Sequence, residues 1–552
     1  MPRKEAPQVE KAEGSERGHP GRHEARAERP RLRVRRRHQS VPATLVGLGS
    51  GVAAVLFQQA LQLAEGTRTS LFAHLHAFPA WGWLVLPILG GFCAGLAGWL
   101  TSRFAPEASG SGIPHVKGVL MHVRSLNWLR VLPVKFVGGV LAIGAGLSLG
   151  REGPTVQMGA AVGKAVGDRL HLPHRTRGQL IAAGAGAGLA AAFNAPLAGF
   201  IFTIEELRRE LSPLTYGPAL IAAVVADVVT RTFTGQVPSF HVRGYPMPPL
   251  SALPLFAVVG GLAGLVGVVF NHSLLWTLRR FHSWSGMPVW LRAGLVGVLA
   301  GLVGWWLPQA IGGGHSTAEA VLRGQYAAVG CVGFLVVLFV AKFVMTIVSY
   351  GAGVPGGIFA PLLVLGSLVG LMTGQVSGLA FPEVANTPAA FAVVGMAAAF
   401  SSIVRAPLTG IVLILEMTSN YDQLLALLVA CMVAFLVAER LGNKPIYEAL
   451  LEYDLNRRGV PERPNATEAV TLELAVESRS WMEGRRVDDL GLPPGCLVVT
   501  VARGVEEVVP QPDTRLQAGD QVRFVVSGRK PAICATLSRR AKMREDPPLH
   551  RH

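Results

Sequence analysis

Windows of about 20 apolar residues recur along most of this chain, at 41–62, 82–101, 134–150, 180–204, 217–232, 252–275, 292–311, 328–349, 358–380, 390–416 and 424–440. A helix of that length crosses a hydrocarbon core. These windows predict an all-α polytopic membrane protein. Composition agrees: 16% of the 552 residues are charged, against about 25% in soluble domains.

The polar parts lie at the two ends. Residues 1–38 carry many arginines and no apolar segment, so they read as a disordered basic tail and not as a signal peptide. Much of the net charge of +16 sits in this tail and in short loops such as RTRGQ (175–179) and LRRFH (278–282). Positive charge beside membrane spans holds those segments on the cytoplasmic side, which accounts for the excess without a nucleic-acid partner. The membrane block is expected at 39–452. A linker rich in Pro, Asn and charge follows at 453–468, then a small soluble domain at 469–538 and a disordered tail at 539–552. Cys93, Cys331, Cys431, Cys496 and Cys534 are scattered without metal-ligand spacing, so neither a metal site nor a disulfide framework is expected.

The membrane block repeats itself. NAPLAGFIFTIEE (194–206) aligns with RAPLTGIVLILEM (405–417), and AAAF precedes both copies, at 190–193 and 397–400. GREGPTVQMGAAVG (150–163) aligns in the same order with GIFAPLLVLGSLVG (357–370). The halves run over about 40–232 and 250–452. Repeats of this kind in transporters place the substrate where broken helices of both halves meet.

Three Gly/Pro-rich stretches supply the breaks: GSGIP (Gly110, Ser111, Gly112, Pro114), GREGP (Gly150, Arg151, Glu152, Gly153, Pro154) and GGIFAP (Gly356, Gly357, Ile358, Phe359, Pro361). Glycine and proline at this density end helices. A helix restarting inside the membrane aims unpaired N–H groups and the positive end of its dipole inward, which suits an anion. One such stretch alone would be an interhelical turn; three together, two of them repeat-related, point to an ion path. Ser111 and Tyr447 can add hydroxyl donors. Glu152 is either a salt-bridge partner of Arg151 or a gate. Adjacent residues on a helix point apart, which favours a carboxylate that takes the anion's place when charged and leaves it when protonated.

Glu205 and Glu206 close an apolar run and pose the same choice between interfacial anchoring and function. Glu205 aligns with Glu416, whereas Glu206 aligns with Met417, so Glu206 is the asymmetric acid and the functional candidate. The AGAGAG run at 183–188 lies inside a span and reads as close helix packing rather than a dinucleotide loop.

These motifs resemble the CLC family of chloride channels and chloride/proton antiporters over about residues 40–452. The resemblance implies the CLC fold with two inverted repeats, a homodimer with one pore per subunit, and cytoplasmic termini. It implies chloride coordination by Ser111 and Tyr447 with the backbone amides of Ile358 and Phe359, Glu152 as the external gating glutamate, and Glu206 as the internal proton site that separates antiporters from channels. Serine at position 111 implies chloride rather than nitrate, and GREGP differs from the fluoride-exporting pattern. The expected function is secondary active exchange of chloride for protons in a bacterial inner membrane. The alternatives are a chloride channel of the same fold gated by Glu152, and a membrane receptor built around the C-terminal domain.

Beyond the membrane block, VTLELAVE, CLVVTVARG and QVRFVVSG alternate as short strands separated by turn-rich PPG, PQPDT and AGD,. This small α/β or β-rich stretch resembles the RCK-C regulatory domain of Trk-type potassium-uptake proteins. Such domains dimerise, and some bind small ligands including cyclic dinucleotides. No enzyme reading and no resident cofactor are expected, since no nucleophile–base pair or phosphate loop emerges.

Overall fold

The computed structural model describes residues 21–78, 80–209, 213–236, 240, 250–283, 286–326, 328–381, 388–459, 470–503, 506–526 and 531–542. They divide into two compact units, 1–451 and 452–552.

The first unit holds α1 (Gly21–Leu75), α2 (Gly82–Phe104), α3 (Ile113–Leu120), α4 (Trp128–Gly144), α5 (Glu152–Arg169), α6 (His174–Phe193), α7 (Pro196–Phe202) and α8 (Pro213–Thr234). A second set follows: α9 (Leu253–Ser283), α10 (Val289–Trp306), α11 (His315–Leu322), α12 (Val332–Gly351), α13 (Phe359–Ala380), α14 (Pro388–Val404), α15 (Pro407–Thr418) and α16 (Leu424–Arg440), closed by α17 (Ile446–Arg457), which belongs to this unit as far as Leu451. Among the described residues seven helices are long and apolar enough to cross a membrane.

Two windows expected to be single spans are each broken in two. The 180–204 window splits between α6 and α7, and the 390–416 window between α14 and α15. In each case a residue turns left-handed, Asn194 at φ 54° and Arg405 at φ 69°, and Pro196 or Pro407 opens the next helix. Proline has no N–H and cannot continue a helix, but it fits the first turn, where that N–H would be unpaired anyway. Lipid would not tolerate these breaks; Ala195 and Ala406 beside them are fully buried in protein.

Helix α1 begins at Gly21, inside the stretch expected to be a tail. The Glu, Arg and Ala of that stretch are good helix formers. Residues 1–20 and 543–552 lie outside the described residues, as do 460–468 of the expected linker and 469 at the start of the expected domain.

The halves pack by one scheme. Helix α5 lies on α6, α6 on α8 and α1 on α8; in the second set α13 lies on α14, α14 on α16 and α9 on α16. Between halves, α2 packs on α10 and α7 on α15. The AGAGAG run is the contact of α6 with α5: a Cβ on Gly188 would collide with the Thr155 carbonyl and one on Gly184 with that of Gly159. These glycines permit close packing, as the sequence suggested.

The second unit contains β1 (Val470–Ala475), β2 (Cys496–Arg503), β3 (Glu506–Val508), β4 (Gln521–Val526) and helix α18 (Pro531–Lys542). The strands form one antiparallel sheet in the order β1-β4-β2-β3. Val498, Val501, Val522, Phe524, Leu537 and Ala541 share its core. Arg503 donates to both carboxylate oxygens of buried Asp520, at 2.8 and 2.7 Å. Burial alone would raise the Asp520 carboxyl, but bonds from Arg503 and the Gln517 amide hold it below the ordinary aspartate value.

Candidate functional site

The three Gly/Pro-rich stretches meet, and backbone hydrogen bonds between the halves fasten them. Gly110 N–H donates to Val354 O at 3.0 Å, and Gly356 N–H to Gly110 O at 3.0 Å. Gly150 N–H donates to Gly357 O at 2.6 Å, and Gly357 N–H returns to Gly150 O at 2.8 Å. Gly150 and Gly357 are repeat-equivalent, and they pair antiparallel, as a twofold relation between inverted halves requires.

Helices α3, α5 and α13 all start at this junction, and none has a side-chain cap. Gly110 and Gly112 adopt φ of 63° and 85°, a region costly for residues with a Cβ. The buried Lys135 ammonium donates to Ala108 O at 2.9 Å and Gly110 O at 2.6 Å, holding the loop ahead of α3. A Cβ on Gly153 would lie 2.5 Å from Ser111 Oγ, so only glycine lets the start of α5 approach Ser111.

Ser111 and Tyr447 are buried side by side. The two hydroxyls face each other but make no hydrogen bond of ordinary geometry, to one another or to any other protein group. Buried polar atoms without partners are uncommon and costly; here two converge where three helix N-termini begin. Tyr350, which the sequence reading did not single out, places its hydroxyl 3.4 Å from the Ser111 amide.

Glu152 is 2% exposed. Its Oε2 accepts the Ala360 N–H at 3.3 Å, in the first turn of α13 and next to the expected amides of Ile358 and Phe359. A carboxylate from one half therefore occupies a donor of the other. Arg151 does not pair with it; its guanidinium donates to Ala192 O at 3.4 Å. The Phe359 ring packs between Phe193 and Phe400, centroids 5.1 and 4.6 Å away. The two AAAF stretches thus supply an apolar wall.

Glu205 and Glu416 perform matching tasks. Glu205 accepts the Leu408 and Thr409 amides of α15 at 3.1 and 2.7 Å, and the Thr409 hydroxyl at 2.7 Å. Glu416 accepts the Leu197 and Ala198 amides of α7 at 3.1 and 2.8 Å. Each caps the other half's helix, where an N-terminus favours an anion.

Glu206 is held differently. A π-helical turn over Thr203–Arg208 carries it, a geometry frequent at functional sites. Its Oε1 accepts Lys117 Nζ at 2.7 Å inside the protein, while Oε2 has no partner. Sequence reasoning missed Lys117 and Lys135; the available signal was a lone lysine in each of two apolar runs beside GSGIP. Among the described residues no cluster of His, Cys, Asp or Glu could hold a metal ion.

Broken helices from two related halves, meeting at a buried polar point within an apolar bundle, define a membrane transport protein. The chain belongs to the voltage gated chloride channel family, whose model matches residues 90–439; a TrkA-C domain model matches 471–530. It is 41% identical over 438 residues to the H(+)/Cl(-) exchange transporter ClcA of Vibrio cholerae serotype O1 (strain M66-2), covering 76% of this chain and 92% of that one. The corresponding transporter of Citrobacter koseri is 38% identical over 437 residues, with 78% and 92% covered. A crystal structure of a slow cyanobacterial Cl-/H+ antiporter superposes with a TM-score of 0.73 at 38% identity, covering 76% of this chain and 98% of that one. A CLC-type fluoride/proton antiporter shares the fold, with a TM-score of 0.62 at 23% identity over 73% of this chain and 95% of that one.

Proposed function

We propose that this protein exchanges chloride for protons across a bacterial inner membrane. Chloride binds between the hydroxyls of Ser111 and Tyr447 and the first amides of α13, from Ile358 and Phe359. Glu152 is the gate: charged, it occupies those donors; protonated, it yields them to chloride. Glu206 is the second proton site. The observation that carries the reading is the Glu152 bond to the Ala360 amide, beside two buried hydroxyls with no protein partner. Partial backbone charges suit transport because they hold an anion without trapping it.

The homodimer expected of the family, the cytoplasmic placement of both termini, and a small ligand of the cyclic-dinucleotide class at the C-terminal unit belong to the same proposal. No resident cofactor and no enzymatic activity are part of it.

The test is reconstitution into liposomes. A chloride gradient should drive proton uptake by the wild type, while Glu152→Gln should pass chloride without moving protons. Chloride flux in the wild type with no proton uptake would leave a passive channel and end the exchange reading.

A further inference from the structure

Lys117 has its side chain only 5% exposed and lies between two carboxylates. On one side is Glu206, 1% exposed and 2.7 Å away; on the other is Glu448 Oε1, 3.9 Å away. Glu448 is 32% exposed and pairs with Arg209, which is 51% exposed. Two contacts therefore link the partly exposed Glu448–Arg209 pair to the buried acid through Lys117. Helix α3 supplies Lys117, α17 supplies Glu448, and the π-helical turn supplies Glu206. Tyr447, adjacent to Glu448 in α17, has both Glu206 and Glu152 among its electrostatic neighbours.

A static ion pair is a poor explanation for this arrangement. Removing two ions from water costs about as much as their attraction returns, and replacing such pairs by apolar residues is often neutral or stabilising. Lysine gives up its proton readily when buried, whereas arginine does not.

We propose that Lys117 hands protons to Glu206 and that Glu448 refills it. The Lys117 ammonium transfers a proton to Glu206 Oε1, leaving a neutral amine and a carboxylic acid. Glu448, protonated from water, then gives its proton to that amine, restoring the ammonium, and returns to carboxylate. The net change is one proton moved from water to Glu206, with no other reactant. Rotation of the four-carbon lysine stem covers the 3.9 Å side of the step.

This inference rests on Glu206 as the second proton site, and three variants in the full chain in liposomes separate the two claims. Glu206→Gln should stop chloride-driven proton flux while chloride still passes. Lys117→Arg keeps the positive charge beside Glu206 but retains its proton, so proton flux should fall about a hundredfold, the scale of a lost general acid, while chloride still passes. Glu448→Gln should lower proton flux as well, since it removes the group that refills buried Lys117; wild-type proton flux in this variant would remove Glu448 from the relay. Chloride flux reports that each variant is folded. If Glu206→Gln keeps normal proton flux, the Glu206 assignment and the relay both fall. If Glu206→Gln stops proton flux but Lys117→Arg carries protons at the wild-type rate, the relay alone is wrong.

Discussion

Gly150–Pro154 and Gly357–Pro361 break a helix in the same frame, pair antiparallel and start α5 and α13 in equivalent places. One carries Glu152 where the other carries Phe359. The structure adds a third equivalence that the sequence reading did not reach. PEASGSG (106–112) and PQAIGGG (308–314) each run through one turn of 3-10 helix, Pro106–Ala108 and Pro308–Ala310, into a glycine loop. Gly110 and Gly312 have φ of 63° and 65°; Gly112 and Gly314 have 85° and 84°. A buried lysine ammonium holds each loop by its carbonyls, Lys135 on Gly110 at 2.6 Å and Lys342 on Gly312 at 2.7 Å. The halves share backbone and scaffold. They differ at Ser111 against Gly313, Glu152 against Phe359 and Glu206 against Met417, and these are the positions to which the proposed exchange assigns a donor, a gate and a proton site. Where the repeat is symmetric the residues build; where it is broken they act.

That contrast can be attacked directly. Lys135→Met and Lys342→Met should each cost about 3 kcal/mol, since each removes charged hydrogen bonds to buried carbonyls. Thermal unfolding in detergent measures both losses. Only Lys135→Met should also weaken chloride binding, because only its loop presents a hydroxyl. Equal loss of chloride affinity in both would break the comparison.

A smaller effect is expected at the loop tips. Ser111→Ala should lower chloride affinity about tenfold, the equivalent of one hydrogen bond to a charged group. Gly313→Ser should leave affinity near the wild-type value; a Cβ there meets its nearest atom at an ordinary 3.4 Å. Calorimetric chloride titration separates the two.

The smallest effect falls on the symmetric acids. Glu205→Ala and Glu416→Ala each remove a helix cap and should cost about 1–2 kcal/mol, with the exchange ratio of chloride to protons unchanged. Glu205→Ala should lie at the upper end because it also loses the Thr409 hydroxyl bond. A changed exchange ratio in either variant would show that symmetry does not mark a structural role.

The fold class was legible because apolar windows and helix-breaking motifs are local. Glu206 was legible as the asymmetric acid because repeat alignment needs only the sequence. Two spans were read as continuous because Asn194-Ala195-Pro196 and Arg405-Ala406-Pro407 are short breaks in long apolar runs, and whether protein or lipid surrounds a break is a tertiary fact. Lys117, Tyr350 and Glu448 stayed hidden for the same reason: their roles depend on partners 89 or more positions away. The third equivalence was masked by the change from Ser109-Gly110-Ser111 to Ile311-Gly312-Gly313, which leaves the backbone intact and removes the matching letters.

The four backbone bonds joining Gly110 to Val354 and Gly356, and Gly150 to Gly357, also limit how the molecule can work. A carrier that rocks its halves about a central cargo would have to tear this clasp twice in every cycle, in a place where lost hydrogen bonds find no water to replace them. In the proposed exchange the waist of the protein instead stays a fixed aperture. Access from either face would then change by the swing of single side chains such as Glu152, and the two ions would trade places while the frame around them stays still.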